Sequence, residues 1–216
     1  MSVRIKQFAA VATLLVVPAL ALAAAAPDKA EKVAQKMLGM DQSIQTASVQ
    51  IDKTLTSLNA LAQPGGDLVA KYKAFSKNID DLDKVAQKAK SNAEAAAKQR
   101  EAYLAQWKAN QDKIVNPELK QASEARRAEL EPKVTAIKTS LGSARETFNP
   151  FLQDLKDLRT FLANQLNPGG IASANTLITK CSADGEKVKS DLSLGSAAIK
   201  DLAASISPGG VPAPKP

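Results

Sequence analysis

Four stretches of this chain carry apolar or small residues at alternating steps of three and four, and no other feature limits the fold so strongly. That spacing keeps one stripe of a helix buried along its whole length, and a strand cannot use it. The second stretch runs Leu68, Tyr72, Phe75, Ile79, Leu82, Ala86, Ala89, Ala93, Ala96, Arg100, Tyr103 and Trp107, with only Arg100 out of character. The third runs from Leu130 through Ile137, Leu141, Ala144 and Phe151 to Leu162, and the fourth from Ile171 through Cys181, Gly185 and Gly195 to Ile206. The first is weaker but keeps the rhythm through Val33, Met37, Met40, Ile44, Ala47, Ile51 and Leu58. Aromatic residues are only 4% of the chain, so the apolar content is aliphatic and small, which suits packed helices.

Breaks between the stripes are equally plain. Pro-Gly-Gly occurs at 64–66, 168–170 and 208–210, and each is expected to stop a helix. Asn116 followed by Pro117 is expected to end one helix and start another. Helices are therefore predicted over about 28–62, 67–114, 117–166 and 171–206, with Pro132 and Pro150 kinking the third without ending it. The Pro-rich tail, 207–216, is expected to be disordered.

Short loops force neighbouring helices antiparallel. Folding the chain about residue 115 brings Ala96 level with Val134, Ala93 with Ile137 and Ala89 with Leu141, so small residues meet large ones. Folding near residue 168 brings Gly185 level with Phe151. The outer helices should then stop near Ala97 to Gln99 and near Glu131. The expected fold is all-α: an elongated antiparallel four-helix bundle or coiled coil, with a two-helix hairpin tip projecting by ~20 Å at 1.5 Å per residue.

Residues 1–25 read as a signal peptide: Arg4 and Lys6 precede an apolar run from Phe8 to Leu22 that ends in Ala-x-Ala patterns. The run is short for a membrane span and is interrupted by Pro18. Export to the periplasm is the expectation, with no Cys after the run to take a lipid. Without Arg4 and Lys6, 27 basic residues face 22 acidic ones, and the formal charge falls from +7 to +5. Lysines alternate with carboxylates along every helix, the pattern of a solvated face.

The chemistry available is narrow. The chain has no His, which removes the commonest general base and the usual nitrogen ligand of bundle metal sites. Asp80, Asp81 and Asp83 lie beside Lys77 and Lys84 and read as an ion-pair face. Cys181, the single thiol, takes a seam position as a small apolar group. No catalytic residue, metal site or cofactor is expected, and the chain is not read as an enzyme. The tip is the candidate contact: Arg100, Tyr103, Trp107, Lys108, Lys113, Lys120, Arg126 and Arg127, with Tyr103 and Trp107 on a seam that two helices alone would not cover. The expected role is a helical interaction or structural module of the cell envelope. Its partner would be an envelope protein or a second copy, and the alternative is an anionic membrane surface meeting Lys-rich helix faces. Export and mixed charge argue against nucleic acid.

Three segments carry a family resemblance: Gly65 to Tyr72 (GGDLVAKY), Gln106 to Arg127 (QWKANQDKIVNPELKQASEARR) and Phe148 to Ser173 (FNPFLQDLKDLRTFLANQLNPGGIAS). In order and spacing they resemble the bacterial domain-of-unknown-function family 2959, over most of the chain from residue 60 onward. The resemblance implies an exported helical protein, lipid-anchored in many members, with no activity to carry over. This chain departs in lacking the lipidated Cys.

Overall fold

A computed structural model of the protein describes residues 27–207. The expected signal peptide, the third Pro-Gly-Gly and all of the expected tail except Ser207 lie outside the described residues. Within them the chain is all-helical, with no strand: α1 (Pro27–Ala62), α2 (Leu68–Gln111), α3 (Pro117–Ala128), α4 (Leu130–Asn164) and α5 (Pro168–Ile206).

The two described Pro-Gly-Gly tripeptides do opposite things. After α1, Gly65 and Gly66 take φ of +80° and +74°, conformations that side-chain-bearing residues avoid, and the chain turns there. Lys71 holds this turn by donating to the carbonyls of Gln63 at 2.8 Å and Gly65 at 2.6 Å. The second tripeptide was expected to stop a helix, yet Pro168–Gly170 forms the first turn of α5. The difference lies one residue upstream. Asn167 is an N-cap whose side chain accepts from the Gly170 N–H at 3.0 Å, and Pro168 then occupies the position where a missing N–H costs nothing. Gly170 is needed for closeness: a Cβ there would lie 2.0 Å from the Gln165 carbonyl oxygen.

The expected third helix is interrupted at one residue, Glu129, which keeps helical angles (φ −62°, ψ −23°) and whose N–H still bonds the Ala125 carbonyl at 3.1 Å, so the chain kinks there rather than stopping. Pro132 accounts for the break. Its ring crowds the carbonyl four residues back, which belongs to Ala128, the last residue of α3. Pro150 sits inside α4, which continues through it.

Successive long helices run in opposite directions, and cross-helix bonds fix which residues are level. Gln50 donates to the Asn78 carbonyl between α1 and α2, and Tyr72 to the Arg159 carbonyl between α2 and α4. Lys133 pairs with Asp201 between α4 and α5, and Lys189 with Asp52 between α5 and α1. The closest approaches are α1 with α2, α4 with α5, and α1 with α5, whereas α2 and α4 stand further apart. Glycines mark where α5 comes closest: a Cβ at Gly185 would meet Leu55 of α1 at 2.9 Å, and one at Gly195 would meet Leu141 of α4 at 2.9 Å. Gly185 is level with Phe151, as the pairing of Lys180 with Asp154 shows, but its open side faces α1. α5 packs against two helices, and the residue's angular position chooses between them.

The core forms two clusters. A lower one joins Ile51, Leu58, Phe75, Ile79, Leu82, Phe151, Leu155 and Cys181, and an upper one joins Val33, Met37, Ala96, Tyr103, Trp107, Leu130, Ile137 and Ile199. Half-buried Leu192 borders both. At that level α2 buries no residue between 83 and 95, and its inward positions are the small side chains Ala86, Ala89 and Ala93. This is the waist of the bundle.

Candidate functional site at the apex

The candidate site occupies the end of the molecule where α2 turns into α3. Asn116 caps α3 by accepting from the Leu119 N–H at 3.0 Å, and Pro117 supplies the first helical position. These bonds hold the connecting turn, 112–116, as a defined apex.

Directly beneath lies Trp107. The sequence places it on a bare seam, but it is only 7% exposed, and Tyr103 only 5%. The indole Nε1–H donates to the Ser123 hydroxyl at 3.0 Å, and Tyr103 packs edge-on against the indole, with centroids 5.9 Å apart at 69°. Folding about residue 115 pairs Trp107 with Ser123, and a side chain that small leaves room for the indole between α2 and α3. α5 also reaches higher than Glu131: Arg126 donates to the Ser205 carbonyl at 3.0 Å, and Ser207 bonds Glu31. Ile206 and Ala203 therefore join Leu130 in the upper cluster. Burial also raises the Tyr103 phenol above its ordinary pKa.

The basic residues divide into three groups. Arg126 is tied down, paired with Glu129 at 2.7 Å as well as with Ser205. Lys108, Lys113 and Lys120 form no ion pair among the described residues, with Lys108 and Lys113 exposed and Lys120 half-buried. Arg100 and Arg127 each have a single long carboxylate contact among the described residues, that of Arg127 being with Glu131 at 3.5 Å. Arg100 is 4% exposed, and its one carboxylate contact is with Glu101 at 3.5 Å. Its Nε has no partner, nor does the Nε of Arg127 or the Oε1 of buried Gln111. Of the buried side-chain atoms left unpaired among the described residues, only Ser76 Oγ lies elsewhere. In the body the comparable groups are satisfied: buried Asp41 accepts from Gln45 and Ser196, and Thr54 donates to the Gln50 carbonyl at 2.8 Å.

Outermost is Val115, 93% exposed, with Ile114 half-buried and Leu119 at 36%. The sequence-based reading passes over these three, together with Gln111 and Ser123. A β-branched pair inside a polar turn, where helix packing cannot use it, was the available signal.

The family model described as Protein of unknown function (DUF2959) matches residues 23–206. The chain belongs to this family. The match contains every helix and the whole apex, so the features above belong to the DUF2959 domain itself. No curated protein and no solved structure matches the chain.

Elsewhere in the DUF2959 domain, polar groups are engaged with one another. Asp80, Asp81 and Asp83 pair with Arg159, Lys77 and Lys156 respectively, and the bond from Lys156 holds the Asp83 carboxyl below the usual carboxylate range. Cys181 is fully buried, and its thiol is pushed up to about 12, chiefly by that burial. Among the described residues no cluster of His, Cys, Asp or Glu is arranged to hold a metal ion, and no helix is long and apolar enough to cross a membrane.

Proposed function

We propose that the protein is a non-enzymatic helical interaction module of the cell envelope, exported to the periplasm, and that it makes its contact through the apex of an elongated antiparallel four-helix bundle. One observation carries this reading: the apex concentrates unpaired buried polar atoms beneath an almost fully exposed Val115. Each such atom costs stability that a purely structural hairpin has no reason to forgo. A rigid apolar knob above it, with Lys108, Lys113 and Lys120 at its sides, has the make-up of a contact patch. Trp107 and Tyr103 act from inside, stiffening the hairpin, while Ile114, Val115 and Leu119 form the contact itself.

The alternative of Lys-rich faces on an anionic membrane draws less support. Lys77, Lys133, Lys156, Lys180, Lys189 and Lys200 each sit against a carboxylate, which cancels much of the attraction.

The test is photocrosslinking in intact cells from position 115, with position 49 as the control, because Val49 is also exposed but lies on the body. A defined adduct from 115 that is absent from 49 is the expected outcome. Identical patterns from the two positions would remove the case for the apex.

A further inference from the structure

The two ends of the molecule have opposite shapes. At the end away from the apex, the turn after α1 and the first turn of α5 enclose an open cleft of about 500 Å³. Its lining mixes Leu61, Pro64, Leu68, Pro168 and Ile171 with polar Gln63 and Asn175, and Gly65 and Gly66 leave one side without side chains. The volume lies within the ~300–1,000 Å³ range of clefts that enclose a small ligand, enough for two or three aliphatic side chains. At the other end stands a knob of Ile114, Val115 and Leu119.

We propose that the apex of one copy seats in this basal cleft of a second copy, joining molecules head to tail. The proposal rests on the reading of the apex as the contact and names its partner. Three observations favour a second copy. The knob carries little net charge, because Asp112 and Glu118 offset two of the three lysines beside it, Lys108, Lys113 and Lys120, so an anionic surface would gain little from it. The cleft is bordered by the N-terminus of α5, which has no acidic residue in its first turn, and Asp112 or Glu118 of the knob would bring the negative charge that helix end favours. Finally, the apex cannot reach its own cleft. The 44 residues of α2 separate the two ends by about 66 Å at 1.5 Å per residue. A contact between different patches on identical molecules does not close on itself unless the rotation permits, so it propagates into chains. With so small a knob the buried area falls at the low end for specific contacts, below about 1,200 Å², and assembly should depend steeply on concentration.

The test uses the purified chain with Val115→Cys in one preparation and Ala172→Cys in another. Both positions are exposed, Ala172 borders the cleft, and native Cys181 is buried away from oxidant. Mixing under mild oxidation should give a disulfide-linked pair through 115 and 172 that neither preparation gives alone. Val115→Asp, or Ala172→Trp to plug the cleft, should weaken the concentration-dependent rise in sedimentation coefficient by roughly tenfold or more, as for a central hot-spot residue, with unchanged circular dichroism. A wild-type chain that stays monomeric, or a 115–115 linkage in place of 115–172, would overturn the proposal. If the head-to-tail linkage fails while position 115 still captures a different envelope protein in cells, the apex reading survives and only the choice of partner is lost.

Discussion

Replacing Arg100 with Met should make the protein more stable. A guanidinium carries five N–H donors, and here the only carboxylate in reach is Glu101 at 3.5 Å, with Nε unpaired and the residue 4% exposed. A buried donor left unmade costs about 1–3 kcal/mol. Exchanging a buried charge for an apolar side chain of similar volume ranges from neutral to about 4 kcal/mol favourable. Met keeps the unbranched stem and adapts to the space, so little packing is lost. The expected gain is about 1–3 kcal/mol, which at ~2–4 °C per kcal/mol for a chain of this length raises Tm by roughly 2–12 °C. Urea and thermal unfolding followed by circular dichroism measure the whole chain, and fluorescence of Trp107, the single Trp, reports the apex. A loss of 1 kcal/mol or more would refute the reasoning, because it would mean that the guanidinium is well compensated where it lies.

Three further outcomes follow from the geometry. Gly170→Ala should cost at least about 2 kcal/mol in urea unfolding, because its Cβ would meet backbone that cannot swing aside, whereas Gly169→Ala, facing the Asn167 side chain at 3.2 Å, should stay within about 1 kcal/mol. Cys181, with its thiol pushed up to about 12, should react with an aromatic disulfide reagent near pH 8 no faster than the protein unfolds, and rapid labelling of the folded chain would contradict its burial. Asp83 has a lowered pKa, so its bond with Lys156 contributes stability above the unfolded carboxylate value of about 3.9, and that contribution is lost as pH falls through the lower folded value. Asp83→Asn should therefore flatten the acid limb of the urea midpoint against pH, and an unchanged limb would show that the pair contributes nothing.

Helix positions were legible because period and punctuation are local properties of the chain. The stripe from Leu68 to Trp107 names every buried apolar residue of α2 and also buried Arg100. What escaped depended on neighbours. Pro-Gly-Gly at 168–170 opens a helix because Asn167 precedes it, and the stop expected there treated the tripeptide alone. Gly185 faces Leu55 because α5 is shared between two helices, a fact that pairwise folding cannot contain. Two smooth rods would leave Trp107 bare. The Ser123 opposite and the extra reach of α5 close over it, and both could be read only after the helices were placed. The apex residues went unremarked for the opposite reason: Val115 breaks no stripe and belongs to none.

The waist at Leu192 divides the apolar core into two bodies on common struts. Where the seam of α2 is reduced to alanines, less apolar surface couples the halves, and cross-helix bonds from Asn92 to Ser43 and from Ser143 and Thr147 to Asp191 hold the register instead. The lower body is sealed by Phe75, Phe151 and Leu158, while the unpaired atoms of Arg100, Gln111 and Arg127 lie at the upper end. A pull on the apex would cross the waist largely through polar bonds, which break and re-form without exposing apolar surface, so any give under load would fall at mid-length and leave both ends intact.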